Sequence, residues 1–430
     1  MPAPVDAVLI GAGNRGWRVY GEYAAAHPDE LRFVAVVEPD DGRRQQFAER
    51  HGLPLESQYR SWEELASRPP LAVAAINATL DRTHHRSTLA LLEAGYEVLL
   101  EKPIATSPEE CLELAQAAER LGRGLQISHV MRYAPFFRTI HQIVGGGELG
   151  DVVAVDWREN LVYWHYAHSF VRGNWRNSQT TGPMLLTKCC HDLDLLVWMF
   201  GTCERVASFG EQRYFTSSRV GSEVPGRCLD GCPYADTCLY YAPRLYLDRL
   251  AESPDDFTVA AMTLDHTERG VLRALADGPY GRCVYRCDND VVDHQVTSLR
   301  FAGGQAVSLT MQGASHVEGR TVRIDGMRAT LLANQARNEI QIVDHSTGQQ
   351  RFAEIPPVHG GHGGGDAGLI RAFVGALRGL RQDVLTSARE SVESHLLAFA
   401  AEEARLNGST VAMAAYRERI EQQLTTGAHA

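Results

Sequence analysis

The chain has 430 residues, a net charge of −11, and ordinary globular proportions of 44% hydrophobic and 22% charged residues. That length suits two domains at roughly 100–200 residues each, and the composition excludes a disordered, collagen-like or coiled-coil chain. No run of about 18 apolar residues is present, which argues against a membrane-spanning helix. An acidic chain without a basic stripe is a poor partner for nucleic acid or an anionic membrane. Met1 leads straight into an apolar strand with no charged leader segment, so a cytoplasmic protein is expected.

Residues 4–10 read as a buried strand, followed by Gly11-Ala-Gly13-Asn14-Arg15-Gly16 and a helix. A second strand over 31–38 ends in Glu38, and further apolar strands are expected over 72–78, 97–100 and 124–129. Helices are expected between them, one starting at a Ser107 cap with Glu110 in the capping-box position. Strands alternating with helices predict a parallel sheet covered on both faces. Near residue 130 the pattern changes to long alternating strands, over 152–160, 205–212, 291–301, 306–312, 320–325 and 339–344, with one helix over about 184–200. The expected organisation is a dinucleotide-binding domain over 1–129 and an α+β domain over 130–430 with an open, mainly antiparallel sheet. A cysteine-rich insertion is expected at 217–250.

Gly-x-Gly-x-x-Gly is weak alone, but here it follows a strand, opens a helix and precedes an acid at the end of the next strand. Gly11 permits the tight turn, Gly13 the approach of a pyrophosphate, and Gly16 close helix packing. Asn14 and Arg15 lie in the same turn. Glu38 suits the two ribose hydroxyls and would repel a 2′-phosphate, so NAD is favoured over NADP; Arg43 and Arg44 keep NADP open.

Of the 42 basic residues only two are lysines, Lys102 and Lys188. Lysine, unlike arginine, can lose its proton when buried, so both are candidate catalytic groups. Lys102 lies in Glu101-Lys102-Pro103, downstream of Thr79-x-Asp81-x-x-His84 and Ala94-Gly95. With Gly147-x-Leu149-Gly150 and His191-x-x-Asp194, these motifs resemble the glucose–fructose oxidoreductase / inositol dehydrogenase / MocA family along essentially the whole chain. The resemblance implies a Rossmann domain, a second domain whose open sheet serves as an oligomer interface, a nicotinamide cofactor and a sugar, cyclitol or glycoside substrate. It implies cofactor contacts from Thr79, His84, Glu101 and Lys102, and a substrate contact from Lys102. It implies acid/base work by His191. Many members carry an acid four residues before that histidine; here Thr187 stands there and Lys188 follows. On one helix, Lys188 and His191 would share a face, and the cation would lower the histidine pKa.

Residues 162–176 concentrate His165, His168, Arg172, Trp175 and Arg176. Aromatic faces suit a sugar ring and paired arginines suit an anionic group, so these are candidate substrate contacts. Arg132 and Tyr133 at the domain junction, and His362 in the segment from His359 to Asp366, are expected at the same cleft; Tyr133 is also a candidate acid/base. Cys228, Cys232, Cys238 and the distant Cys287 are candidate ligands of a structural zinc, against the alternative of reduced, buried thiols.

The leading expectation is an NAD-dependent oxidoreductase acting on a carbohydrate hydroxyl, in a homodimer or homotetramer. The second is a redox-neutral NAD-dependent glycosidase, with an anionic glycoside such as a sulfoquinovoside as a candidate substrate. That route needs more acid/base groups, which Lys188, His165, His168, Tyr133 and His362 would supply. The third is a non-enzymatic NAD-linked sensor.

Overall fold

The computed structural model describes residues 3–357, 360–380 and 384–426. Six strands, β1 (Val5–Ile10), β2 (Leu31–Val37), β3 (Gln58–Tyr59), β4 (Ala74–Asn77), β5 (Glu97–Leu100) and β6 (Leu125–Ile127), form one sheet in the order β3-β2-β1-β4-β5-β6. Every pairing in it is parallel. β1, β4 and β5 are buried almost throughout, as a sheet with helices on both faces requires. The order reverses at β1/β4, so the ends of those strands open onto the crevice where such sheets bind ligands. Helix α1 (Pro108–Leu121) starts as expected, with the Ser107 hydroxyl accepting from the amide of Glu110.

The second sheet has nine strands: β7 (Val152–Val162), β8 (Cys203–Glu211), β9 (His294–Phe301), β10 (Ala306–Ser315), β11 (Gly319–Gly326), β12 (Ala329–Asn334), β13 (Glu339–Asp344), β14 (Gln350–Phe352) and β15 (Thr410–Ala412). Their order is β14-β13-β12-β11-β7-β10-β9-β8-β15, antiparallel except between β7 and β10. Strict alternation of burial along β9 turns one face to the core and the other outward. The outward face carries Phe209 and Phe352, 74% and 64% exposed. One continuous hydrophobic core joins both sheets.

The helix expected over 184–200 is two helices, α2 (Met184–Thr187) and α3 (Cys190–Phe200). The chain leaves helical geometry at Cys189, which has φ −95°, ψ 8°. Lys188 therefore bonds toward β7 and the start of β11 instead of sharing a helix face with His191. Helix α4 (Gly365–Leu377) packs on residues 130–133, and α5 (Ala388–Asn407) packs against α1, α3 and β8. The cysteine-rich stretch belongs to a longer excursion, 212–293, between β8 and β9. It contains three short helices and its own small hydrophobic cluster.

Candidate active site

The glycine turn after β1 is sterically obligatory. Gly11 has φ +89°, and a Cβ there would lie 2.6 Å from the carbonyl oxygen of Ala78. A Cβ at Gly16 would lie 1.9 Å from the oxygen of Gly11, so only glycine lets the helix close on the turn. At Gly13 the nearest atom to such a Cβ is Arg43 Nη1 at 4.0 Å, which leaves backbone open to a ligand. Glu38, at the end of β2, is buried; its Oε2 accepts from the Ala12 amide at 2.8 Å and its Oε1 from the Asp40 amide at 3.0 Å. Each oxygen keeps a lone pair for a ribose hydroxyl. These residues fit a dinucleotide on chemical grounds: an open amide-lined turn at a helix start for the pyrophosphate and an anchored carboxylate for a ribose.

Arg15 ties this turn to the rest of the crevice. Its Nε bonds Glu101 Oε1 at 2.6 Å and its Nη2 pairs with Asp366 at 3.0 Å; the Tyr20 hydroxyl also donates to Glu101. His84 spans from the carbonyl of Thr79 to that of Pro103, so it braces the ends of β4 and β5. The Thr79 hydroxyl donates to Asn77.

Lys102, at the Lys102–Pro103 cis peptide, donates from Nζ to the carbonyl oxygen of Thr187 at 2.6 Å. His191 lies in the first turn of α3, 6% exposed, with its ring 5.6 Å from His129 and 6.2 Å from His362. Burial, then the Lys102 charge, holds its pKa well below that of an ordinary histidine, so it is neutral at pH 7. Its buried Nδ1 has no protein partner. His362 has φ +51° and bonds Asp366 at 2.9 Å; His359 lies outside the described residues. The donor atoms of His129, Cys190 and His191 lie within 4.8 Å of one another. The Lys102 ammonium stands near all three, a charge that opposes a divalent cation there.

The structure thus brings Arg15, Glu101, Lys102, His191 and His362 together, and it engages several other candidates in internal bonds. Arg132 forms a buried, two-pronged pair with Asp194 at 2.7 and 2.8 Å. The Tyr133 hydroxyl accepts from Gln126 and from the amide of Leu385, and burial raises its pKa, so an acid/base role does not fit. His168 is buried, bonded to the Tyr246 hydroxyl and stacked on Tyr280. Arg176 pairs with Asp288, and Trp175 donates to Asp81 across the two domains. Arg172 is wholly buried against the carbonyls of Arg282 and Tyr240. These groups fold the 162–176 segment onto its neighbours rather than present it to a ligand.

Lys188 is likewise held as a cation, by Glu159 and Glu318, each at 3.1 Å. Glu159 also meets Arg320 at 2.6 Å, and Arg320 forks onto Asp192, which accepts from Trp157. His165 joins the same group through Glu318 at 3.1 Å. The carboxylates outweigh the burial penalty and raise the Lys188 pKa, the opposite of what a proton-accepting lysine needs. The charge that lowers His191 is that of Lys102, not Lys188.

Sequence reasoning passed over His129, whose buried ring nitrogens are both without hydrogen-bond partners, and Glu159 and Glu318. His129 follows β6 by two residues; a polar residue just past a parallel strand is the signal that marks it.

A parallel sheet with a glycine turn opening a helix and a buried acid at the end of the next strand is the pattern of a dinucleotide-binding domain. Residues 5–129 match the oxidoreductase family with an NAD-binding Rossmann fold, and residues 141–413 match its C-terminal alpha/beta domain. The chain belongs to the Gfo/Idh/MocA family. YteT of Bacillus subtilis, whose name places it among oxidoreductases, is 25% identical over 348 residues, 76% of this chain and 77% of YteT. The D-glucoside 3-dehydrogenase of Escherichia coli is 30% identical over 155 residues, 35% of this chain and 42% of that enzyme. The fold also matches a levoglucosan dehydrogenase structure, in complex with NADH and levoglucosan, with TM-score 0.70 and 17% identity over 95% of this chain and 99% of that one.

Proposed function

We propose that this protein is an NAD-dependent oxidoreductase that oxidises a secondary hydroxyl of a sugar, sugar derivative or cyclitol. The observation that carries the reading is the convergence of Lys102 and His191 in a crevice tied to the glycine turn through Arg15 and Glu101. Bound NAD would supply a hydride acceptor. Gly11, Gly13, Asn14, Arg15 and Gly16 cradle its phosphates and Glu38 holds the adenosine ribose, which favours NAD over NADP. Neutral His191 takes the hydroxyl proton, and Lys102, oriented by Thr187, stabilises the developing alkoxide. His362 stands beside His191 at the mouth. The names of the D-glucoside and levoglucosan dehydrogenases support a carbohydrate substrate.

The redox-neutral glycosidase reading loses most of its supporting groups. Lys188 and His165 sit in ion pairs, and His168 and Tyr133 are buried in internal bonds, which leaves His362 as the added proton carrier. We also assign a homodimer or homotetramer, built on the open face of the nine-stranded sheet where Phe209 and Phe352 are exposed. All nine cysteines are unpaired, which suits a reducing cytoplasm, and no described helix is long and apolar enough to cross a membrane.

The test is incubation of purified protein with NAD and a panel of free sugars, cyclitols and aryl glycosides, following NADH and aglycone together. NADH accumulation from free sugars or cyclitols supports the proposal. NAD-dependent aglycone release without net NADH establishes the glycosidase instead.

A further inference from the structure

Arg172 poses an electrostatic problem. Its guanidinium is 0% exposed, yet no carboxylate pairs with it among the described residues. Nε donates to the carbonyl of Arg282 and Nη2 to that of Tyr240, both at 2.7 Å; Nη1 has no partner. A buried cation satisfied only by neutral carbonyls is costly. The remaining contact of its Nη2 is Cys228 Sγ at 3.7 Å.

That contact lies where the cysteine-bearing segments meet. The backbone at 226–228 pairs with 281–283, through Cys228 N to Gly281 O and Cys283 N to Gly226 O, both 2.9 Å. Cys228 and Cys283 are thereby brought onto adjacent backbone segments joined by an isolated bridge at Arg227 and Arg282. Arg172 reaches the residue before Cys283 and the residue two after Cys238 with the same guanidinium. Cys287 Sγ contacts the carbonyl of Cys283 at 3.3 Å, and the loop carrying Cys232 leads into Cys238. Part of the excursion packs in a separate cluster of six buried residues, Cys228, Ala242, Tyr246, Val259, Val271 and Leu275, while Phe215, Tyr240, Val284, Val291 and Val292 join the main core. A satellite cluster so small gains stability from a cross-link or a metal.

We propose that Cys228, Cys238 and Cys283, with a fourth thiol from Cys232 or Cys287, hold a thiolate-ligated metal centre whose negative charge is balanced by buried Arg172. Metal binding releases the thiol protons to solvent and leaves an anionic centre, which supplies the counter-charge that Arg172 otherwise lacks. Zinc and iron–sulfur clusters both take four thiolates. Zinc requires the sulfurs to close to roughly 3.8 Å, the edge of a tetrahedron with 2.3 Å bonds. Among the described residues no three of these thiols stand within 4.8 Å of one another. A cluster, whose ligands sit on separate irons, accepts a wider set. The centre is a staple for the excursion and, through Arg172, for the 163–172 segment; it takes no part in hydride chemistry.

The test is metal and acid-labile sulfide analysis of the full-length protein purified without oxygen, with thermal unfolding followed in parallel. About one zinc per chain, or iron with matching sulfide and a brown colour, supports the proposal and identifies the metal. Cys283→Ser and Cys238→Ser should each lower bound metal at least tenfold, whereas Cys111→Ser, remote from the cluster, should not change it. Arg172→Leu should weaken metal retention during dialysis against a chelator. A metal-free native protein with all nine thiols titratable after unfolding overturns the proposal, whatever the variants do. Metal content unchanged in Cys283→Ser and Cys238→Ser overturns it equally.

Discussion

The ammonium of Lys102 donates to the backbone carbonyl of Thr187, which joins the end of β5 to the last residue of α2 across the domain boundary. A carbonyl can orient an ammonium but cannot take its proton. Lys102 is thereby positioned beside neutral His191, and the carbonyl of Thr187 does the orienting that a carboxylate could do at the same place. Lys102→Met should lower kcat/KM by at least about a hundredfold, the scale of a lost proton-transfer or alkoxide-stabilising group. NAD binding, followed by fluorescence titration, should stay within a few fold. Retention of full turnover would remove Lys102 from the proposed chemistry.

Glu38 is fixed by two backbone amides before any ligand arrives. Glu38→Ala should weaken NAD binding roughly tenfold or more, since hydrogen bonds to a charged group are worth about 1.5–3 kcal/mol, and should improve the relative use of NADP. Steady-state constants for both cofactors check this. An unchanged preference would place the ribose elsewhere.

Four buried histidines, His129, His168, His191 and His395, have pKa values depressed first of all by burial, that of His395 to about 3. For such a group the unfolded chain binds a proton near pH 6.5 and the folded chain only at lower pH. Stability is therefore complete above about pH 6.5 and is lost as pH falls from there toward the folded values. Each histidine contributes up to about 1.4 kcal/mol per pH unit in that window. Denaturant unfolding at pH 7.5 and 5.5 should show a smaller loss in His168→Gln than in the native chain; an equal loss would contradict the assignment. For the same reason the acid limb of kcat/KM should lie below pH 6.5 if His191 is the base.

Lys188 tests a different distinction. Its removal leaves Glu159, which is 0% exposed, with Arg320 alone. Lys188→Met should destabilise the fold by about 3 kcal/mol, as when one partner of a buried pair is deleted, while the folded protein keeps turnover within a few fold. A large loss of kcat at unchanged stability would instead return Lys188 to the catalytic groups.

Much of the architecture was legible in local patterns. Alternation of strand and helix before residue 130, the glycine turn and Glu38 depend on short-range geometry, and the structure places them as read. Strands β3, β14 and β15, of two or three residues, went unread because strands so short acquire their identity from the neighbour they pair with, and β12 went unread as well. The single helix expected over 184–200 failed because periodicity does not register the break at Cys189, where the backbone leaves the helical region between α2 and α3.

The sequence alone marked the glycine turn with its downstream Glu38 and the two rare lysines, and the family resemblance carried by the motifs added His191. Only the tertiary structure decided which of the many other polar side chains face a ligand. Arg132, His168, Arg172 and Lys188 carry the same chemistry in either setting. Their partners, Asp194, Tyr246, the carbonyl of Arg282 and Glu159, come from segments 29 to 110 residues away. A charge in a chain announces that it needs a partner; the fold supplies one, and that choice separates a structural ion pair from a group left free to act on substrate.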